Sequence, residues 1–323
     1  MKLPKFNKLY VFIFSAFFFG VFGVFLGATT FAEQFVGTPE SGKTSRLTEI
    51  YELLKDEGVG SDSSGEWGDW GAVMNRIRGV AGETVSGPTN CPTGMIPVPP
   101  GNGGTGFCVD KYEAKQSGSA AVSVAAGTPW VSITQYAART ACEASGKHLI
   151  TEREWLQIAK NVEQVGWNWS GGAAGSGQMS DGHSDNSPAN SLAASTDDDP
   201  CSGTGQTCNI TTWNSQRRTY QLSNGEYVWD FGGNVWAWVD GFTYESYPYA
   251  NNWSAWVACN TPDGICGNTL ATNDQRYGGN TTALRALRRG GTWHDGANAG
   301  AFTLNLSSVP SPTYGDIGFR CAW

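Results

Sequence analysis

The clearest hydrophobic pattern in the chain is helical. Trp155, Ile158, Ala159 and Val162 fall at i, i+3, i+4 and i+7, one face of a helix. Thr151 with Glu154 three residues on gives that helix a capping-box start. A second short helix is predicted just upstream. Ser132 and Gln135 repeat the capping spacing, Ile133, Tyr136, Ala137, Ala141 and Ala144 form its inner face, and Gly146 ends it. Alternation at 107–114, and at 227–240 around a Gly-Gly turn, predicts strands. Residues 167–215 have little period and many Gly, Ser, Asn and Asp residues, which predicts a long loop.

The N-terminal part has a different pattern. Residues 9–28 are twenty uncharged positions dominated by Phe, Val and Gly, preceded by Lys2, Lys5 and Lys8. That length suits a bilayer-spanning helix, with the basic flank inside and the rest exported. Thr30-Phe31-Ala32 offers a small-residue cleavage site, while the length of the run favours an uncleaved anchor, so both outcomes stay open. Two helical faces follow. Leu47, Ile50, Tyr51, Leu53 and Leu54 make one, and Trp70, Val73, Met74 and Ile77 make the other. The expected organisation is a signal peptide or membrane anchor at 1–32, a linker and helical stalk at 33–90, and the main domain at 91–323.

Composition narrows the functions available. The net charge of −8 comes with no basic stripe, which argues against a nucleic-acid partner. All eight cysteines lie on the expected exported side, and an even count there points to disulfides. Cys201 and Cys208 close a short loop, as do Cys259 and Cys266. Cys91 and Cys108 flank a Pro- and Gly-rich turn, which leaves Cys142 and Cys321 as a staple from a helix to the chain end. The rival reading of the cysteines is zinc. It is the poorer one, because no CxxC occurs and the chain has only three His (His148, His183, His294). No metal and no cofactor are expected.

The segment 290–320 mixes two kinds of position. Gly290, Gly291, Trp293, Leu304, Leu306, Ile317, Gly318, Phe319 and Cys321 look like framework. Thr292, His294, Asp295, Ala297, Thr303, Ser307, Ser308, Pro312, Tyr314, Gly315 and Asp316 are scattered among them with no period of their own. A fixed scaffold with scattered polar and aromatic side chains predicts a display surface.

Four stretches in order, EASGKHLITEREWLQIAKN, GGNVWAWVDG, RRGGTWHDG and GFRC, resemble the formylglycine-generating-enzyme / sulfatase-modifying-factor family. The resemblance covers roughly 91–323. It implies an α+β, C-type-lectin-like fold of the formylglycine-generating type, and a Cys142–Cys321 disulfide agrees with the family's helix-to-terminus bridge. It also implies tests of chemistry. The oxidase of this family binds copper through a cysteine pair in the segment after RGG, because thiolate is the soft ligand that copper(I) prefers. No Cys occurs between Gly290 and Arg320. The sulfoxide-synthase branch needs an HxxxHxE site that three scattered His do not form. A Glu that ligates calcium in some members is Ala237 here, although Asn234 remains.

The same terminal segment is similar to the variable region of proteins diversified by retroelements. There, adenine-directed mutagenesis of AAY codons yields NNY codons, which never encode Lys, Glu, Gln, Met or Trp. No Lys, Glu, Gln or Met occurs from Gly290 to Arg320, and the eleven scattered residues all fall in the permitted set. The resemblance implies a non-catalytic, surface-displayed protein whose partner is a protein or other cell-surface molecule. Two alternatives remain. One is an enzyme of the formylglycine-generating class with unrecognised chemistry. The other is a calcium-independent lectin, since the EPN or QPD plus WND signature of calcium-dependent sugar binding is absent.

Overall fold

The computed structural model describes residue 88 and residues 90–243, 256–259, 266–270, 272, 274–278 and 284–323. They belong to one unit that spans 86–323. The apolar run at 9–28 and both stalk helices lie outside the described residues. Among the described residues no helix is long and apolar enough to cross a membrane.

In chain order the elements are β1 (Met95–Val98), β2 (Phe107–Asp110), β3 (Lys115–Ser117), β4 (Ala120–Val122), α1 (Gln135–Glu143), β5 (His148–Leu149) and α2 (Glu152–Glu163). After the long loop come β6 (Thr219–Gln221), β7 (Tyr227–Trp229), β8 (Trp236–Thr243), β9 (Val257–Ala258) and β10 (Gln275–Gly278). The last are β11 (Arg285–Gly290), β12 (Gly300–Leu306), β13 (Ile317–Phe319) and β14 (Cys321–Ala322). The described residues are therefore mostly β with two α-helices, richer in strand than the α+β expectation.

Two sheets carry the architecture. The larger has the order β13-β8-β11-β12-β10-β9, and the smaller has β1-β2-β14-β5. The terminal segment enters both. β12 lies between β11 and β10, β13 pairs parallel with β8 from Trp236 to Trp238, and β14 joins the smaller sheet. One face of the large sheet packs on α2 through Trp155, Ile158, Val162, Phe231 and Phe302. The other packs on α1 through Ala138, Ala141, Trp238, Ile317 and Phe319. Trp155 is fully enclosed, stacked on Phe231 at 3.9 Å, and its Nε1 donates to Ala301 O at 2.8 Å.

α2 has the predicted capping box, with Thr151 Oγ1 accepting from Glu154 N and the Glu154 carboxylate accepting from Thr151 N. α1 departs from expectation at its start. Ser132 sits at φ 57 and donates its N–H to Tyr314 O, so Thr134 takes the cap and accepts from Ala137 N. The inner face shifts with it to Gln135, Ala138, Ala141 and Cys142, and Tyr136 turns outward at 49% exposure. Gln135 is buried because its Nε2 donates to Val239 O and Gly241 O. The expected alternation around Gly232 and Gly233 is also split, since β7 pairs with β6 while β8 enters the large sheet.

All four disulfides form as expected: Cys91–Cys108, Cys142–Cys321, Cys201–Cys208 and Cys259–Cys266. Cys142–Cys321 closes 179 residues and ties α1 to β14. Disulfides of this number fit an oxidising, extracellular compartment.

Candidate binding face

The terminal segment leaves β11 through Gly290 and Gly291, at φ 92 and 87. A Cβ on Gly291 would lie 2.7 Å from the Cβ of Ala299, so the close approach of the two backbones requires glycine. Just before it, Arg289 is wholly buried. Its Nη1 donates to Phe302 O at 2.8 Å and Cys266 O at 3.2 Å, and its Nε donates to the Glu152 carboxylate. This arginine ties β11 to α2 and to β12.

The loop 292–299 is then held from below by backbone. Asn234, at φ 61, offers its carbonyl to Trp293 N at 3.2 Å and to Thr292 Oγ1 at 3.3 Å. Trp293 O accepts from Asn186 N, and Ser184 O accepts from Gly296 N. Besides the Thr292 hydroxyl, the Asp295 carboxylate contributes, accepting from Thr292 N at 2.9 Å. Burial holds the Asp295 pKa above the usual carboxylate range, against the lowering effect of that N–H.

The stretch 307–316 is pinned through its carbonyls. Ser308 O accepts from Ala286 N, Pro310 O from Gln135 N, Tyr314 O from Ser132 N and Asp316 O from Trp236 N. None of these bonds involves a side chain of the stretch. The chain path from 308 to 316 is thus fixed by main-chain groups, while Ser307 also bonds through its side chain, donating from Oγ to Asn305 Oδ1 and accepting from Arg288 Nη2.

The sequence-derived candidates divide by exposure. His294, Ala297, Tyr314 and Gly315 are exposed, Tyr314 at 48%. Asp295, Ser307, Pro312 and Asp316 are half-buried. Thr292, Thr303 and Ser308 are buried. Thr303 Oγ1 donates to Asn298 O at 2.6 Å, an internal bond that closes the loop onto β12. Among the framework positions, Gly290, Gly291 and Phe319 are buried, and Phe319 packs on Trp130 with ring centroids 5.6 Å apart. Trp293 is framework by its backbone, but its ring is half-exposed and sits edge-on to His294 at 5.6 Å.

Below these side chains lies a floor that the sequence patterns did not single out. Arg288 on β11 faces Asn305 on β12 and Trp238 on β8. Trp236 stacks on Trp256 at 6.2 Å, and Trp256 meets Tyr277 at 5.4 Å. The W-x-W spacing at Trp236 and Trp238 placed two rings on one strand face, and it was the one signal available for this floor.

The chemistry expected of an oxidase does not fit these residues. Every cysteine is in a disulfide, so no thiolate pair is available to copper. His148 is bound to Glu154, and buried His183 meets Asn190 O. Among the described residues no group of three or more His, Cys, Asp or Glu is placed to hold a metal ion. The Asn234 side chain, the remaining part of a family calcium position, is occupied by protein. Its Oδ1 accepts from Leu192 N at 2.8 Å and its Nδ2 donates to Glu113 at 2.5 Å.

The sulfatase-modifying factor enzyme 1-like domain, FGE-sulfatase, matches residues 104–323. The chain belongs to this family. A comparison with curated proteins finds no match. Among solved structures the chain is similar to the Major Tropism Determinant U1 variant, at 17% identity and TM-score 0.36, over 73% of this chain and 54% of that one. It thus spans about half the length of that relative. It is also similar to PvdO from Pseudomonas aeruginosa, at 15% identity and TM-score 0.31, over 68% of this chain and 84% of that one. Treponema denticola variable protein 1 gives 15% identity and TM-score 0.31, over 68% and 80% of the two chains.

Proposed function

We propose that this family member is a non-catalytic, surface-displayed binding protein, and that its segment 290–320 is diversified by a retroelement to vary what it binds. One observation carries the reading. The segment's path is held by carbonyls at 308, 310, 314 and 316, while His294, Ala297, Tyr314, Gly315 and Asp316 reach the surface. Side chains on such a loop can change without loss of the fold. Tyr, Ser, Gly and Asp are also the residues that adaptable protein-binding loops favour.

A binding role is further supported by the pairing of all eight cysteines, which leaves no thiol for the chemistry of the related oxidase. The partner in this reading is a protein or other cell-surface molecule, and the N-terminal apolar run either anchors the domain at the membrane or is cleaved on export. Neighbouring DNA tests the diversification directly. A reverse-transcriptase gene and an adenine-rich near-copy of the segment coding residues 291–320 are expected beside the gene. A neighbourhood lacking both would sink the diversification claim.

A further inference from the structure

Arg288 lies just outside the candidate variable span, yet its guanidinium sits under it. The residue is 7% exposed, and its guanidinium packs 5.3 Å from the Trp236 ring and 5.9 Å from the Trp238 ring. Among the described residues its one hydrogen bond runs from Nη2 to Ser307 Oγ at 3.1 Å, and its Nε is enclosed with no acceptor. Among the described residues no carboxylate forms an ion pair with it either. Asp316, Asp295 and Tyr314 are near enough to act on its charge without closing such a pair.

Buried Arg217, away from this face, also makes one hydrogen bond, to Trp167 O, and has an enclosed Nε without an acceptor, but two other buried arginines are treated differently. Arg218 has both carboxylate oxygens of Asp230 and the carbonyls of Leu192, Ala193 and Ser202. Arg289 has Glu152 and two carbonyls. A guanidinium carries five donors in a planar fork, and a buried one is normally saturated. Arg288 is therefore an unfilled donor set built into the floor of the face.

We propose that Arg288 is a fixed anchor for a carboxylate that a partner protein presents as an Asp or Glu side chain. The proposal rests on the binding-face reading. The guanidinium fork matches a carboxylate in two-point geometry, and two tryptophan rings flank it and partly desolvate it. A protein partner is favoured over an acidic sugar because the neighbouring candidate residues His294, Tyr314 and Gly315 are exposed and of the mixed kind that protein-binding loops use.

Two candidate variable positions then tune the anchor. Asp295 is restrained by Thr292 N and cannot swing in freely. Asp316 is half-buried, and among the described residues its carboxylate has no hydrogen-bond partner, so it is the charge an incoming carboxylate must displace. Variation at 316 sets how acidic a partner is accepted, while Arg288 stays constant.

The test uses the full chain on immobilised peptides made in matched pairs, Asp against Asn and Glu against Gln, with sialylated glycans as a parallel arm. Wild-type protein is expected to bind the acidic member of a pair more tightly. Asp316→Asn is expected to raise the acid-over-amide ratio up to roughly fivefold, the scale of one partly exposed charge contact. Arg288→Gln is expected to bring the ratio to one, and Arg288→Lys to keep part of it. Near-UV circular dichroism confirms that each variant is folded, and the lysine variant keeps the comparison informative if the glutamine one is not. An acid preference that survives Arg288→Gln overturns the proposal. So does the lack of any acid preference, including no peptide binding at all, in wild type and Asp316→Asn, or binding confined to the glycans. Peptide binding that depends on Tyr314 but ignores charge defeats this proposal and leaves the binding-face reading standing. Binding untouched by both Arg288→Gln and Tyr314→Ala defeats the binding-face reading.

Discussion

Gly291→Ala sets the scaffold against the face it carries. The substitution puts a Cβ 2.7 Å from the Cβ of Ala299 and 2.8 Å from its Cα, at a backbone φ of 87. The left-handed conformation costs a non-glycine residue roughly 1–3 kcal/mol. Overpacking against backbone that cannot swing aside adds roughly 1–3 kcal/mol. The sum, roughly 2–6 kcal/mol, lowers Tm by roughly 4–24 °C for a domain of 150–250 residues. The matched control changes four face residues at once: His294→Ala, Ala297→Ser, Tyr314→Ala and Asp316→Ala. Surface substitutions away from special features stay within about 0.5 kcal/mol each. With mixed signs the four together shift Tm by only about 2–4 °C. Thermal unfolding followed by near-UV circular dichroism measures both, since buried Trp155, Trp229 and Trp238 report tertiary packing. A face variant that loses as much as Gly291→Ala would refute the claim that the side chains at 294, 297, 314 and 316 are not needed to hold the loops.

Removing the long staple by Cys142→Ala with Cys321→Ala should cost about 5 kcal/mol from loop entropy at a separation of 179, read as a shift in the denaturant midpoint. Stability should also fall as pH rises from about 4 to 8. Burial, with a smaller push from Asp274, raises Asp181 to about 8, and burial raises Asp274 to about 7. Each folded-state pKa thus lies above its ordinary value of 3.8, so the native state binds more protons across that window, and the stability this confers is lost as pH rises through the folded values. Asp274→Asn should flatten the Tm-against-pH curve, and an unchanged slope would count against the burial argument. Asp295→Ala should cost about 1 kcal/mol by leaving Thr292 N without its acceptor, whereas Asp316→Ala should be neutral in chemical denaturation.

Parts of this fold were legible because local signals agreed with tertiary ones. In α2 the capping box at Thr151 and the apolar spacing from Trp155 to Val162 point to the same helix, and both survive in the structure. In α1 the two levels conflict. Ser132 and Gln135 have a capping spacing, but Ser132 is drawn into a left-handed turn by Tyr314 O, a residue 182 positions away. A single sequence holds no trace of that bond. Strand order was hidden for a similar reason. β12 pairs antiparallel with β11 on one side and parallel with β10 on the other, and such parallel neighbours leave no short-range turn signal. The framework glycines were legible, since two adjacent glycines after RR mark a backbone that must turn closely. The split of the candidates into exposed and buried was not. Thr303 is a polar residue on a buried strand, and nothing in its type distinguishes it from exposed Tyr314 or Gly315. Arg288 was invisible because a cation in a sequence counts as solvent-facing unless its ring partners are known.

Asp295 shows why the proposed variable surface and its scaffold cannot be fully separated. Its carboxylate caps Thr292 N, and its charge acts on Arg288. A residue there must accept a hydrogen bond to keep the loop start in place. Asn, Asp and Ser keep an acceptor at short reach, whereas Ala, Gly and apolar residues do not. Asn and Ser keep the cap but remove the charge over Arg288, and Asp keeps both. Position 316 carries the opposite balance, since its carbonyl holds the chain to Trp236 N whatever the side chain is. The two acidic positions nearest Arg288 therefore differ in kind. Substitution at 316 changes charge alone, while substitution at 295 changes charge and loop order together, so under the proposed function 316 is the position where a change of selectivity would cost the fold least.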